Sequence, residues 1–565
     1  MGSVRIGLTI SGAVSLGAFE GGALAALLTG TQAIQAVTPG KSPPLRVDAI
    51  GAASAGAITA VAAARILTAG LDPVWVMQRA WVTEDSLDSL LRGATADAPL
   101  SMDHLSKTAL DVLNDQQHVN PAKIQQAPVA IELALTNLRC LGYTIHKISA
   151  PAGSQQTIEA STYFDWGRFA FSPGAGIDEF CAPGGAVDTA LASGANPLGF
   201  APRKLARDSS PYVAEGVTNL PANAGCEMWF TDGGTIDNEP LGRTLDRSND
   251  IDLHDPPAVQ DRRVQVLIHP FPSAPPPAAS LSWAHPDRRP TWLRTLSRVF
   301  MIIRAQNLYS DIRQAEKTNS QIRWSDELKS TLAGLLTKLL PEEREKWRDA
   351  LRDVVDGIER ELAALPRYRG NLAEKRHATT VEDFLDIALD RVSGLATKNV
   401  VGIEVVSPYL AKRTDRVALD RLLAGEFLES FGGFFHEGLR RSDFALGFVC
   451  MLNWMESALP AYGLGTATCG VAIDAALRAF YGLPAWQEKN ETKDFTDYGL
   501  TDTLESRAKS LGLTGGPSWV PRDFGEMTLG DLGAGEKWLF ARVLGRVATV
   551  LRHDLWLKFT GRDEP

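Results

Sequence analysis

The segment AIGAASAGAI, residues 49–58, constrains the fold most, because its very small side chains join a strand-like run to a helix-like run. Its one hydroxyl belongs to Ser54. A turn sharp enough to leave that hydroxyl projecting excludes bulky neighbours, and Ala53, Ala55 and Gly56 meet this requirement. The helix that follows would direct its unpaired N–H groups to the same place, where they could stabilise an oxyanion. A turn packed tightly under a helix, with an inert serine, fits this segment equally well.

Strand-like and helix-like runs alternate over the first half of the chain. The strand candidates are VRIGLTI at 4–10, RVDAIG at 46–51, VAIELALTNL at 129–138, CEMWFTDGG at 226–234 and RRVQVLIHPF at 262–271. Turns of small residues and apolar helical runs follow the first two of them. This alternation predicts an α/β fold with a mostly parallel central sheet.

A run of prolines, PSAPPPAAS at 272–280, marks the clearest change in composition, since clustered prolines favour extended backbone. We therefore predict a domain over residues 1–271, a Pro-rich linker over 272–290 and a largely α-helical C-terminal region over 291–565. The run VVGIEVVSP at 400–408 is typical of a strand instead, and its return to the first sheet is left open.

Composition narrows the classes of function. The formal net charge of −10 leaves no basic surface for phosphate neutralisation, so we expect no nucleic-acid partner. The five cysteines are widely spaced and odd in number, without a CxxC pair or histidines at metal-ligand spacing. We therefore expect no metal, no disulfide framework and a reducing, cytoplasmic location. No uninterrupted apolar run approaches the ~18 residues that a membrane-spanning helix needs.

The segment SGAVSLG, residues 11–17, is a second candidate for chemistry. Gly12, Ala13 and Val14 could present successive main-chain N–H groups to an anion in a turn that opens a helix. A phosphate site is the alternative use of such a turn. That alternative is weak, because the spacing lacks both G-x-G-x-x-G and a terminal Lys-Ser/Thr.

The segment FTDGGTIDNEPL, residues 230–241, is a third candidate. A strand-like run delivers Asp232 into Gly233 and Gly234. We expect Asp232 at the carboxyl end of a parallel strand, on the side where such folds collect catalytic groups. Asp-Gly is also a common turn dipeptide, so an ordinary turn is the alternative.

Taken together and in order, these segments resemble the patatin-like phospholipases. The similar segments are LTISGAVSLGAFEGGAL at 8–24, IGAASAGAI at 50–58, ASGANPLGFAP at 192–202 and DGGTIDNEPL at 232–241. The resemblance covers roughly residues 4–271. A looser one, LAGEFLESFGGFFHEGLRRSDFALG at 423–447, is to the helical extension of longer bacterial members.

The resemblance implies a serine acyl hydrolase that cleaves fatty-acyl esters of phospholipids or related lipids without a cofactor. Ser54 would attack the ester and Asp232 would take its proton. Main-chain N–H groups of the segment at Gly12, Ala13 and Val14 would bind the oxyanion. A Ser-His-Asp triad would instead need a histidine such as His269, for which a place at a strand end without a catalytic role is the simpler interpretation.

Two departures from the family pattern motivate an alternative function. Ala52 stands where the first glycine of the serine turn belongs, and its Cβ could resist unusual backbone dihedrals. Leu16 stands where the family has Arg or Lys, which removes a charge near the oxyanion segment. The alternative is a catalytically weak or inactive lipid-binding or regulatory protein of the same fold.

Contact with a lipid surface would follow from a lipid substrate. Residues 536–559 predict a basic amphipathic helix with an apolar stripe of Leu539, Val543, Val547, Leu551 and Leu555. Packing of this stripe into the core, with the arginines on the exposed face, is the more common explanation of such a pattern. The aromatic and Gly/Pro-rich segment 164–202 is a candidate lid or pocket wall. Peripheral membrane contact and a homo-oligomer are both left open.

Overall fold

The computed structural model describes most of the chain, with gaps between the described ranges. Those ranges are 3–38, 43–146, 157–223, 225–255, 261–270, 292–363, 378–393, 402–411, 422–424, 431–484, 499–513 and 532–559, with the single residues 289, 524 and 530. The Pro-rich run at 272–280 lies outside them. The predicted boundaries at residues 271 and 290 therefore stay predictions.

One mixed sheet organises the described residues. Its strands are β1 (Val4–Ile10), β2 (Leu45–Ala52), β3 (Val129–His146), β4 (Thr157–Phe171), β5 (Arg203–Leu205), β6 (Met228–Asp232), β7 (Arg262–Ile268) and β8 (Gly402–Val406). Their order is β5-β6-β3-β2-β1-β7-β8, with β4 paired to β3 outside this path. The neighbouring pairs β3–β2, β2–β1, β1–β7 and β7–β8 are parallel. The pairs β3–β4, β3–β6 and β5–β6 are antiparallel.

Helices occupy most of the remaining described residues. They are α1 (Gly17–Val37), α2 (Ala55–Ala69), α3 (Pro73–Gln78), α4 (Leu87–Leu91), α5 (Asp103–Leu113), α6 (Ile177–Cys181), α7 (Ala186–Ser193), α8 (Ser209–Ala214), α9 (Leu241–His254), α10 (Trp292–Leu336), α11 (Pro341–Ala363), α12 (Val381–Ser393), α13 (Glu437–Ala461), α14 (Thr466–Tyr481), α15 (Asp502–Ser510) and α16 (Ala534–Phe559). The predicted α/β fold with a mostly parallel sheet and a largely helical C-terminal region is confirmed.

The central strands are covered on both faces. Every residue of β1 and β2 is buried, as expected for central strands that are covered on both faces. Helix α9 covers one face, where the Thr9 hydroxyl donates to Thr244 Oγ1 at 2.8 Å. On the other face, Leu8, Ile10 and Ile50 belong to the apolar core that also includes α1, α2 and α13. The carboxyl ends of β1 and β2 therefore open into a site bounded by helices.

A buried ionic cluster ties α9 to the amino ends of the central strands. Arg263 on β7 pairs with Asp48 on β2 at 2.8 Å and with Asp252 on α9 at 2.6 Å, and Arg5 on β1 reaches Asp252 at 3.1 Å. Burial opposes the charge of Arg263, but hydrogen bonds and charge from Asp252 and Asp48 outweigh it and raise its pKa. Helix α9 follows the DGGTIDNEPL segment directly, so this cluster also anchors that segment.

The segment 164–202 contributes to the sheet and to one helical layer. Its first residues continue β4, which pairs antiparallel with β3 from Phe171↔Val129 to Thr157↔His146. Helices α6 and α7 follow. The expectation of a lid was wrong for the β4 part, because a long hairpin with β3 satisfies its backbone. The pocket-wall alternative applies to α7, described below.

Strand β8 and helix α13 join the same sheet and core. Strand β8 pairs in parallel with β7, from Val264↔Gly402 to Ile268↔Val406. Helix α13 crosses α1 at main-chain distance, because a Cβ on Gly22 would overlap the Phe444 carbonyl and one on Gly447 would overlap the Phe19 carbonyl. Two glycines therefore allow the two helices to touch without side chains between them.

The same two helices, Val14–Val37 and Glu437–Ala461, are long and apolar enough to cross a membrane by length and composition alone. Their apolar windows are 89% and 78% buried inside the protein. Core helices pass the same test, and the packing of α1 on α13 accounts for their apolar character.

Helix α16 differs from its predicted pattern. Leu539 and Val543 pack into an apolar cluster as predicted, and Val550 is buried. Leu551 is exposed, which is not expected if the whole stripe packs into the core. The side chain of Leu555 lies outside the description. The helix therefore rests on the protein along its first half through a narrower face.

We expect Gly447→Ala to lower the midpoint of thermal unfolding. The added methyl has no room against the α1 backbone, and overpacking of this kind costs about 1–3 kcal/mol. Gly357→Ala on α11 is the matched control, because no atom lies within 4 Å of its Cβ position. Alanine there should leave stability unchanged or raise it through helix propensity. Equal midpoints for both variants would contradict the close crossing.

Candidate active site

Ser54 lies in the turn between β2 and α2 with an unusual backbone conformation. Its φ of 53° and ψ of −126° place it where L-residues are uncommon, and its side chain makes no helix-capping hydrogen bond. Its main-chain N–H donates to the Ser193 hydroxyl at 2.9 Å. The residue is 2% exposed. This conformation is the one expected of a strained strand-to-helix turn that presents its hydroxyl.

Small residues around Ser54 allow a close approach to β1. A Cβ on Gly56 would lie 2.5 Å from the Ser11 carbonyl oxygen and 2.7 Å from that of Ile10. Ala55 begins α2 and is buried. Ala52 ends β2 inside the apolar core. Ala52 is not among the described non-glycine residues that have a positive φ, whereas Ser54 is. The Cβ of Ala52 therefore causes no backbone strain.

Asp232 ends β6, and the direction of that strand corrects our expectation. Strand β6 runs antiparallel to β3, with Asp232 opposite Leu135. Because β3 continues past the end of β2, an antiparallel neighbour can still deliver its last residue beside the Ser54 turn. The Thr136 hydroxyl donates to the Asp232 carbonyl at 2.8 Å and fixes this end. Asp232 is fully buried.

Gly234 shows how near the two side chains lie. The position of a Cβ on Gly234 is 3.4 Å from Ser54 Cβ and 3.2 Å from Asp232 Oδ1. The Gly234 N–H donates to the same Asp232 Oδ1 at 2.9 Å. Gly233 approaches β3 so closely that a Cβ would overlap the Ala134 carbonyl. Both glycines thus permit Asp232 and Ser54 to share one small space, with the carboxylate oriented by a main-chain donor.

The segment after β1, which we call the oxyanion loop (Ser11–Leu16), lies between the ends of the strands. The Gly12 N–H donates to the Asn238 carbonyl at 2.9 Å. Val14 has a φ of 53°, and the Leu16 N–H donates to the Ala13 carbonyl at 2.9 Å. In the described part of the chain, the N–H groups of Ala13 and Val14 donate to no main-chain or side-chain acceptor. Of the three donors expected from the sequence, Gly12 anchors the loop, and those of Ala13 and Val14 have no acceptor among the described residues.

Leu16 does not occupy a place suited to a charged side chain. It is fully buried and belongs to the apolar core. An arginine there would place an unpaired charge among apolar groups, which is strongly unfavourable. The absence of the basic residue therefore does not leave an empty charge site in this structure.

His269 follows β7 and is buried beside Glu239, with His269 Nδ1 3.9 Å from Glu239 Oε1. Its main-chain N–H donates to Val406 on β8. Burial lowers the pKa of His269 to about 4, so the imidazole is neutral and only weakly basic near neutral pH. A general base works best with a pKa near the working pH.

An apolar pocket lies along α2, between α5 and α7. Its cavity volume is about 50 Å³, and the pocket is partly open to solvent. Its lining side chains are apolar apart from one hydroxyl: Ile58, Val61, Ala62, Ala80, Leu105, Thr108, Ala109, Val112, Leu113, Val187, Ala190 and Leu191. Ile58 lies one helical turn beyond Ser54, and α7 ends at Ser193. The pocket thus follows the two helices that meet at Ser54.

Two contacts of this site were not foreseen from the sequence. Ser193 lies in the quoted segment ASGANPLGFAP, yet nothing in that pattern indicates that its hydroxyl accepts the Ser54 N–H. Asn238 acts on Gly12 through its carbonyl oxygen, a group that every residue has. Among the described residues, no group of three or more His, Cys, Asp or Glu side chains could hold a metal ion.

Comparison with known proteins agrees with this geometry. Residues 8–245 match the family model of the patatin-like phospholipases, and they form a patatin-like domain. Members of that family are in general hydrolases of lipid esters. The chain is also similar to the uncharacterized protein y4iI of Sinorhizobium fredii (strain NBRC 101917 / NGR234), with 25% identity over 358 residues. That match covers 48% of this chain and about half, 50%, of the relative.

His269→Gln should retain ester hydrolysis within about threefold at pH 8, whereas a member of a Ser-His-Asp triad would lose roughly 10³-fold or more. The variant should also alter the pH dependence of stability. The folded pKa of about 4 lies below the ordinary value of 6.5, so this contribution is complete above pH 6.5 and is lost as the pH falls toward 4. Thermal unfolding of both proteins from pH 4 to 8 measures the difference. Loss of most turnover at pH 8 in a folded variant would instead support a Ser-His-Asp triad that includes His269.

Proposed function

We propose that this protein is a serine acyl hydrolase that cleaves fatty-acyl esters of phospholipids or related lipids through Ser54 and Asp232. The observation that carries the proposal is the shared space at Gly234, where Ser54 Cβ and Asp232 Oδ1 both lie within 3.4 Å of one point. The strained turn at Ser54 and the available N–H groups of Ala13 and Val14 support the same chemistry.

In the proposed reaction, Asp232 accepts the Ser54 hydroxyl proton as Ser54 Oγ attacks the ester carbonyl carbon. The carbonyl π bond opens, and the oxyanion is bound by the N–H groups of Ala13 and Val14 near the start of α2. The carbon–oxygen bond to the alcohol then breaks, and the alcohol leaves with the proton from Asp232. Water attacks the acyl-enzyme in the same way, which releases the fatty acid and returns a proton to Ser54.

The acyl chain lies, in this proposal, in the apolar pocket along α2. Its side chains can bury methylene groups, and the one lining hydroxyl, Thr108, lies on α5. Burial of each methylene contributes about 0.8 kcal/mol. Ser54 and Asp232 are themselves buried, so entry of the ester requires a movement of the residues that cover them.

A cytoplasmic location and peripheral contact with a lipid surface belong to the same proposal. Helix α16 exposes four large apolar side chains, Trp538, Leu544, Leu551 and Trp556. The Arg542 guanidinium lies 4.7 Å from the centre of the Trp538 ring. Exposed tryptophans beside basic groups are typical of surfaces that meet lipid head groups.

Ser54→Ala and Asp232→Asn should each abolish hydrolysis of p-nitrophenyl butyrate and of mixed phospholipid vesicles. The first substitution removes the nucleophile, and the second removes the base while keeping its shape. A fluorophosphonate probe should label the wild type but not Ser54→Ala. Gly357→Ala is the folded control.

The outcomes separate the two candidate functions. Equal background hydrolysis in the wild type and both variants, with vesicles still bound, would favour a lipid-binding protein without effective catalysis. Labelling that persists in Ser54→Ala would place the nucleophile elsewhere.

Ala109→Phe should shorten the preferred acyl chain. The ring would fill the pocket, so kcat/KM should fall for octanoate and laurate esters but not for acetate. In the wild type, each added methylene should raise kcat/KM up to about fourfold until the pocket is full. Leu110→Phe, on the exposed side of the same helix, is the matched control. A parallel loss for acetate and laurate in Ala109→Phe would argue against this acyl site.

A further inference from the structure

A segment from the C-terminal region contacts the oxyanion loop directly. We call it the bracing segment, Phe431–Arg440, which includes the short 3₁₀ helix Gly432–Phe434 and the first turn of α13. The Gly433 N–H donates to the Ser15 hydroxyl at 3.0 Å. Gly433 packs so closely that a Cβ would lie 2.8 Å from Ser15 Oγ and 3.0 Å from Ser15 Cβ. Ser15 follows Val14, so this bond acts one residue from a proposed oxyanion donor.

Arg440 holds the bracing segment against the patatin-like domain. Its Nη1 donates to the Gly433 carbonyl at 2.8 Å, and its Nε donates to the Val82 carbonyl at 2.8 Å. Val82 belongs to the π-helix Arg79–Thr83, a local widening that is frequent at functional sites. Arg440 is 2% exposed. One planar guanidinium therefore fixes two carbonyls from opposite sides of the contact.

The charged groups that act on Arg440 come from both sides as well. Burial lowers the pKa of Arg440, while the charges of Asp85 and Glu437 oppose that effect and Arg441 adds to it. Asp85 is buried, and its burial raises its own pKa to about 7. Burial of a guanidinium and of a carboxyl beside it costs desolvation free energy. Packing alone would not require these two groups.

The oxyanion loop needs such a constraint because of its own backbone. Val14 has a φ of 53°, which is unfavourable for a β-branched residue. Its side chain packs in an apolar cluster with Phe434 of the bracing segment and with Leu87 and Leu90 of α4. The conformation that leaves the Ala13 and Val14 N–H groups available thus depends on contacts from outside the loop.

We propose that Arg440 is a positioning residue for hydrolysis, which acts through Gly433 and Ser15 to hold the Ala13 and Val14 N–H groups toward the reacting carbonyl. The inference rests on the proposed function. It gives the C-terminal region a role in the oxyanion site, in addition to covering the patatin-like domain or contributing to its folding. Donors that stabilise a transition state must be fixed before the reaction, so a looser loop lowers kcat more than substrate affinity.

The test uses the full chain with three single variants, Ser15→Ala, Gly433→Ala and Arg440→Met, and the pair Ser15→Ala with Arg440→Met. Arg441→Met is the matched control, since Arg441 is the next residue on α13 and pairs with Glu437 at the surface. For each protein, kcat and KM are measured with p-nitrophenyl butyrate, and thermal unfolding reports on folding. Ser15→Ala removes only one oxygen atom, so it keeps the test valid if Arg440→Met fails to fold.

We expect kcat to fall about tenfold to a hundredfold in each single variant, with KM changed less than about twofold. Loss of a complete oxyanion donor costs about 10²–10³-fold, and a displaced one should cost less. The double variant should lose little more than the worse single variant, because both changes break one chain of contacts. Arg441→Met should match the wild type.

Three results would overturn the inference: folded variants with unchanged kcat, a rise in KM alone, or losses that multiply in the double variant. These results are distinct from failure of the proposed function. That failure would appear as hydrolysis that survives Ser54→Ala, whatever the bracing variants do.

Discussion

The backbone conformation at Ser54 is the constraint on which the candidate site depends. A residue held at a φ of 53° between a buried strand and a helix persists only if its surroundings leave no alternative. Here Gly56 brings the start of α2 against the end of β1, and the Ser193 hydroxyl receives the Ser54 N–H. The absence of a side chain at Gly56 and the hydrogen bond from the Ser54 N–H to Ser193 together hold the turn. The same turn places Ser54 Cβ 3.4 Å from the position of a Cβ on Gly234, a point that also lies 3.2 Å from Asp232 Oδ1.

The two halves of the proposed chemistry are supported by different parts of the chain. Asp232 is oriented locally, by the Gly234 N–H and by the Thr136 hydroxyl of the neighbouring strand. The oxyanion loop is supported from a distance, by the Asn238 carbonyl at Gly12 and by the bracing segment at Ser15. A carboxylate needs only an oriented side chain, whereas a row of main-chain donors needs its whole loop fixed. In our proposal, this difference is the reason that the C-terminal region contacts the loop.

The sequence predicted what local pattern determines. The buried strands β1 and β2 carry short-range signals and were placed within one residue, and the small-residue turn at Ser54 was predicted with a helix after it. The direction of β6 was not predictable, because the run EMWF has the same pattern whether it pairs parallel or antiparallel. The contact of Arg440 with Val82 was not predictable either, since a side-chain donor meets a main-chain carbonyl 358 positions away. Sequence patterns report on periodicity and residue type, and main-chain acceptors have neither.

The crossing of α1 and α13 through Gly22 and Gly447 has a consequence for biosynthesis. Helix α1 emerges from the ribosome about four hundred residues before its partner α13. At about 5–20 residues per second, its apolar flank waits on the order of tens of seconds. During that interval the nascent chain exposes the apolar surface of α1 that α13 later covers. The interval between the synthesis of α1 and that of α13 is therefore the window in which a chaperone that recognises apolar helices would act on this chain.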